Sequence, residues 1–182
     1  MLTYESVPQI LDMVGRVHER LFHELEGVSA DQSSFRSESG CWTIAEIVEH
    51  LANVQEGMGK VTSKLLRDAE AAGAVGREDK KIGPVSMEFV SELAKQKFQA
   101  PENVRPGGGI PVEDSVNRLK ANYQRLRDMT DRIEASDLSG PTFPHVAFGP
   151  LNAYQWLALI GLHESKHIEQ VRAIKAGAGY PQ

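Results

Sequence analysis

The sequence predicts an all-α protein, a four-helix bundle with one long crossover, and three observations carry that expectation. Apolar residues recur every three or four positions in four long stretches, the period of a helix with one buried face. Runs of alternating β-branched residues, which would mark strands, are missing. The connection from Gly73 to Ile110 is far longer than the ~2 to 8 residues usual between antiparallel bundle neighbours, so the chain must cross the bundle there. The resulting order is up-down-down-up.

The first helix is expected from about Ser6 to Glu26, with Ile10, Val14, Val17, Leu21 and Leu25 on one face and Gly27 as its stop. The second starts at Thr43, which forms a capping box with Glu46 while Trp42 and Ile47 form a hydrophobic staple. Its inward stripe is Ile47, Leu51, Val54, Met58, Val61 and Leu65, and it fades near Ala72, where glycines begin. In the crossover, "SMEFVSELAKQKF" is expected to hold a short helix, and "RPGGGIP" reads as a turn. The latter lacks the preceding strand and the Lys and Ser/Thr of a phosphate-binding loop. A third helix is expected from Val112 to Ala135, with Val116, Leu119, Tyr123, Leu126, Met129 and Ile133 inward. "SDLSGPTFPHVAFGP" reads as a loop broken by its prolines, and a fourth helix runs from about Leu151 to Ala176 before Gly177.

Composition narrows the functional classes. With 182 residues and 41% hydrophobic content, residues 1–182 form one domain that can bury roughly 70% of its unfolded surface. The single Cys41 excludes an internal disulfide framework and reads as a small half-buried residue. No apolar run reaches the ~18 residues of a membrane span or resembles a signal peptide, so the expected location is cytoplasmic. A formal charge of −5 with scattered Lys and Arg argues against nucleic acid as a partner.

"HESKH", residues 163 to 167, matches the H-E-x-x-H pattern of zinc peptidases. The third ligand such peptidases place after the motif is absent: Glu169 is the one acidic residue beyond His167, and it points about 200° away on the helix wheel. A ligand upstream completes the set. The seam of the fourth helix runs Ala153, Trp156, Ile160, His163, His167, Val171 and Ile174, so both histidines occupy core positions on one face. His50 occupies the inward face of the second helix. If the second and fourth helices pack antiparallel, His50 and His167 lie roughly 10 to 14 Å from the same end of the bundle. Three imidazoles buried together would each cost ~1 to 3 kcal/mol of desolvation, which one metal ion would offset. His50, His163 and His167 are therefore the expected ligands. His18, inward on the first helix, is a weaker fourth candidate, whereas His23 and His145 read as surface or loop residues.

"CWTIAEIVEHL" together with "FGPLNAYQWLALIGLHESKHIEQV" resembles the DinB/YfiT-like superfamily, whose pattern is a Trp-Ser/Thr helix start leading to one histidine, then H-x-x-x-H and a Gln. The resemblance extends to "KFQAPENVRP" and "FPHVAFG". It implies a four-helix bundle, a homodimer, and zinc or nickel held by three histidines, which map onto His50, His163 and His167. Gln170 matches the superfamily's glutamine; Asn53 stands where relatives often carry aspartate. The superfamily includes thiol-dependent transferases and isomerases, proteins assigned as hydrolases, and many without an assigned activity.

A three-histidine site leaves an open coordination position, which lowers the pKa of a bound water to ~7 or holds a thiol as its thiolate. The expected function is thus a metal-dependent enzyme acting on a small-molecule substrate, by transfer of a low-molecular-weight thiol to an electrophile. Hydrolysis and non-catalytic metal or ligand binding are the alternatives. Glu164 is the nearest candidate general base, although it lies ~100° round the helix from His163 and is as readily placed in solvent. Trp156 fits either a pocket wall or ordinary core.

Overall fold

Every long helix but one begins at a side chain that caps its free amides. The computed structural model describes residues 4–37, 41–74 and 99–182. Helix α1 is Val7–Leu25, where Ser6 accepts from the amide of Gln9 and Pro8 lies in the first turn. Helix α2, Ala30–Ser34, is a short element capped by Ser29 and Gln32 that the periodicity did not signal. Helix α3, Ile44–Ala71, has the expected capping box: Thr43 and Glu46 bond each other's amides at 2.8 and 3.2 Å. Helix α4, Val112–Asp128, starts behind Pro111 without a side-chain cap and is followed, across Met129, by the short α5, Thr130–Glu134. Helix α6, Ala153–Lys175, opens on a capping box of Asn152 and Gln155. The third predicted helix is therefore interrupted at Met129, although Ile133 beyond it is fully buried as expected.

Side-chain contacts fix the directions. Met13 and Val14 lie against Gly161, His18 against Glu164, and Glu24 against Arg172, so α1 and α6 run parallel. His50 meets His167 while Gln55 shares a cavity wall with Ile160, so α3 runs against α6. Arg118 reaches Asn53 and Met129 reaches Ser63, which makes α4 parallel to α3. This is the predicted up-down-down-up bundle.

The loop expected before the last helix is corrected. The segment read as a loop forms, with the first two residues of the expected fourth helix, an antiparallel hairpin, β1 Thr142–His145 and β2 Gly149–Asn152, with Pro144 opposite Pro150. Each strand spans only four residues and carries a proline, so neither shows the alternation that marks a strand in sequence. Cys41 is exposed rather than half-buried. The short helix expected in "SMEFVSELAKQKF" falls outside the described residues. Among the described residues, no helix is long and apolar enough to cross a membrane.

The apolar core is split in two. One part gathers Val7 to Val14, Met58 to Ala69 and Ala153 to Ile160; the other gathers Val17 to Leu25, Ile44 to Ala52 and Ile168 to Ile174. Between them α1, α3, α4 and α6 contribute buried His18, Gln55, Asn122 and Glu164. Next to that polar layer lie His50, His163 and His167.

Candidate metal centre

His50 leaves α3 on its inward face, and its Nδ1 lies 2.8 Å from the carbonyl oxygen of Val104. A carbonyl only accepts, so Nδ1 carries the proton and Nε2 the lone pair. Val104 is held in place by the end of the crossover. Glu49, 4% exposed, accepts from the amides of Gly107 at 2.8 Å and Gly108 at 3.0 Å, and Asn53 donates to the carbonyl of Arg105 at 3.4 Å. Gly108 has φ +79°, which a residue with a side chain rarely adopts. The glycine turn thus cradles a carboxylate of this chain, Glu49, which fixes the partner of His50.

His163 and His167 follow from α6, four residues apart on one face, with their Nε2 atoms 3.2 Å apart. The Nδ1 of His167 donates to the side-chain oxygen of Gln170 at 2.7 Å. One ligand atom from each of His50, His163 and His167 can be chosen so that all lie within 4.8 Å of one another. The Trp42 ring covers the cluster, with its centroid 4.7 Å from that of His50 and 6.4 Å from that of His167. His163 is the partly exposed member of the cluster.

Burial holds the three imidazoles neutral. His50 titrates below the ordinary histidine range because burial outweighs the Val104 carbonyl. His163 is pushed well below it, by burial first and then by His167 and His50, and His167 is lowered to about 4 by burial first and then by His50, against the Gln170 hydrogen bond. At neutral pH the cluster is three uncharged bases, and the Nε2 atoms of His163 and His167 face each other at 3.2 Å. His167 carries its proton on Nδ1, so its bare Nε2 is an acceptor that either an Nε2 proton of His163 or a cation satisfies. Among the described residues this donor set, all imidazole, suits a divalent ion of borderline softness such as zinc or nickel.

The structure brings together the three predicted histidines and separates the other candidates. His23 is exposed, as expected. His145 is a strand residue stacked on Phe148 at 4.5 Å and near Trp156 at 5.1 Å, half-buried enough for burial to lower its pKa. Trp156 is buried, and its indole nitrogen donates to the Phe143 carbonyl. Glu164 does not face solvent: it is 2% exposed and its Oε2 lies 3.0 Å from Nε2 of His18. His18 is accordingly part of a separate buried pair, not a fourth member of the cluster. Asn53 accepts from Arg118 at 2.8 Å and sits beside the crossover.

Comparison with known proteins agrees with this architecture. YuaE of Bacillus subtilis (strain 168) is 24% identical over 155 residues, which is 85% of this chain and 90% of YuaE. Two solved structures share the fold. TT2238, described as a four-helix bundle protein, superposes with a TM-score of 0.57 at 21% identity over 91% of this chain and 98% of its own. YfiT from Bacillus subtilis, described as "a probable metal-dependent hydrolase with an unusual four-helix bundle topology", superposes with a TM-score of 0.64 at 15% identity, over 96% of this chain and 88% of its own. The model of the DinB superfamily matches residues 13–171, and the chain belongs to that superfamily.

Proposed function

We propose that His50, His163 and His167 hold one divalent metal ion and that the protein is a metal-dependent enzyme, hydrolysing a small substrate. The convergence of three neutral imidazoles, with ligand atoms within 4.8 Å of one another, carries the proposal. A divalent ion there supplies a Lewis acid that polarises a substrate oxygen or acidifies a coordinated water or thiol. The residues of the chain do the rest. Val104 and Gln170 orient His50 and His167 through their Nδ1 protons. Trp42 shields one side, and His163, the partly exposed member, is the edge of the cluster nearest solvent. The name given to YfiT supports hydrolysis first; thiol transfer uses the same open position and is the second outcome of the same assay.

The test is turnover by metal-loaded protein, metal-free protein and the His167→Ala variant. Ester and amide panels are run beside cellular thiols offered with an electrophile. Metal-dependent cleavage lost in His167→Ala supports hydrolysis. Turnover that requires a thiol replaces that reading with transfer. Equal turnover with and without metal overturns both.

A further inference from the structure

One histidine of the cluster takes its orientation from outside the long helices. His50 donates its Nδ1 proton to the carbonyl of Val104 at 2.8 Å, and Val104 belongs to a turn at the end of the crossover. Backbone bonds from the amide of Val104 to Pro101 and from that of Arg105 to Glu102 shape this turn, but they do not reach α3. Side chains of α3 on either side of His50 make the connection. Glu49, one residue before it, accepts from Gly107 at 2.8 Å through Oε1 and from Gly108 at 3.0 Å through Oε2. Asn53, three residues after it, donates to the Arg105 carbonyl at 3.4 Å, and Arg118 of α4, 2.8 Å from Asn53 Oδ1, sets that amide orientation.

Glu49 is the stronger of the two clips. Hydrogen bonds to a carboxylate are shorter and roughly twice as strong as those between neutral groups. The carboxylate is buried, whereas the glycines that it holds are exposed, so the turn would otherwise bond to water. Gly108 presents its amide at φ +79°, a conformation that glycine adopts without strain. We infer that Glu49 is a positioning residue of the metal centre: through the glycine turn it keeps the Val104 carbonyl on His50, which holds the His50 proton on Nδ1 and leaves Nε2 bare for an ion. Glu49 itself bonds to no histidine and lies outside the three-histidine set. The inference rests on the metal reading of the cluster for its effect on affinity, but not for the tautomer, which belongs to the metal-free chain. The coupling is reciprocal. If release of the turn weakens metal binding, bound metal opposes release of the turn by the same factor.

Long-range proton–nitrogen spectra of metal-free protein at neutral pH report the tautomer of each histidine. Competition against a chromophoric chelator reports zinc affinity, and hydrogen exchange reports the Gly107 and Gly108 amides. Wild type should show His50 as the Nδ1–H form, and zinc should slow exchange at both glycines. Glu49→Ala should turn His50 into a mixture of tautomers while His167, held by Gln170, stays Nδ1–H. It should also weaken zinc roughly ten- to hundred-fold, the usual effect of losing an outer partner. Gly108→Ala adds a methyl that meets nothing within 4 Å but strains the turn, and it should shift tautomer and affinity in the same direction. If Glu49→Ala does not fold, Gly108→Ala decides the matter. An Nε2–H form of His50 in wild type overturns the inference, as does an unmoved tautomer or an unchanged zinc affinity in Glu49→Ala. Glycine exchange that is the same with and without zinc also overturns it, because a merely structural Glu49 would give that result. Absence of zinc binding by wild type would instead sink the proposed function, and the His50 tautomer in Glu49→Ala would then judge the positioning role alone.

Discussion

Two groups of buried histidine lie side by side in this bundle, and they differ in what balances them. His18 faces a carboxylate at 3.0 Å, so its proton has a destination inside the protein. His50, His163 and His167 face one another, with no carboxylate in the set. The first group closes on itself, whereas the second concentrates lone pairs and leaves them to something from outside. Burial alone therefore does not mark a metal ligand; the charge of the neighbours does.

The largest expected effect separates the two groups by activity. His167→Ala should abolish turnover, whereas His18→Ala, outside the metal set, should retain most of it. A His18→Ala variant as inactive as His167→Ala would erase the distinction. Next comes metal removal. Metal bound by the folded state alone, at a free concentration a thousandfold above Kd, contributes about 4 kcal/mol. A chelator should lower the wild-type melting temperature at pH 7.5 and leave that of His167→Ala unchanged, as calorimetry would show.

His18→Ala should instead cost stability without metal. Breaking a buried pair costs about 3 to 5 kcal/mol, and the lower end is expected because burial already raises the Glu164 pKa and eases its protonation. Denaturant unfolding of the metal-free variant, showing a loss of less than 1 kcal/mol, would deny the pair its structural role. Per pH unit the smallest effect is the titration of His167. His167 titrates at about 4 when folded and near 6.5 when unfolded. Above pH ~6.5 neither state is protonated there, but between 6.5 and 4 the unfolded state takes the proton first. The metal-free fold should therefore lose stability as pH falls through that window, by at most about 1.4 kcal/mol per unit for this group. Protons also compete poorly for the site, so metal release should lie below pH 6.5. Release already complete at pH 6.5 would contradict the depressed values.

The cluster was legible in the sequence, and the pair was not. His50, His163 and His167 interrupt apolar seams of period 3.6, so their inward direction follows from spacing alone. His18 was legible as inward for the same reason, but its partner was not. Glu164 lies ~100° from His163 on the wheel, which suits solvent on a helix with one buried face. Helix α6, however, packs against both α1 and α3, and its second buried face holds Glu164 against His18. A wide, weakly amphipathic apolar distribution along "AYQWLALIGL" was the available signal. The role of "RPGGGIP" was half visible: its turn was read from the glycines, but Glu49, far away in sequence, gave no local sign of being its anchor. The hairpin escaped because four-residue strands bearing prolines carry no period.

Metal stoichiometry by elemental analysis, on wild type beside His50→Ala, His163→Ala, His145→Ala and His18→Ala, tests the central claim most directly. Wild type, His145→Ala and His18→Ala should each hold one divalent ion per chain, and His50→Ala and His163→Ala none. A full complement of metal in His50→Ala would contradict it, because His50 is the ligand that ties α3 to the two histidines of α6.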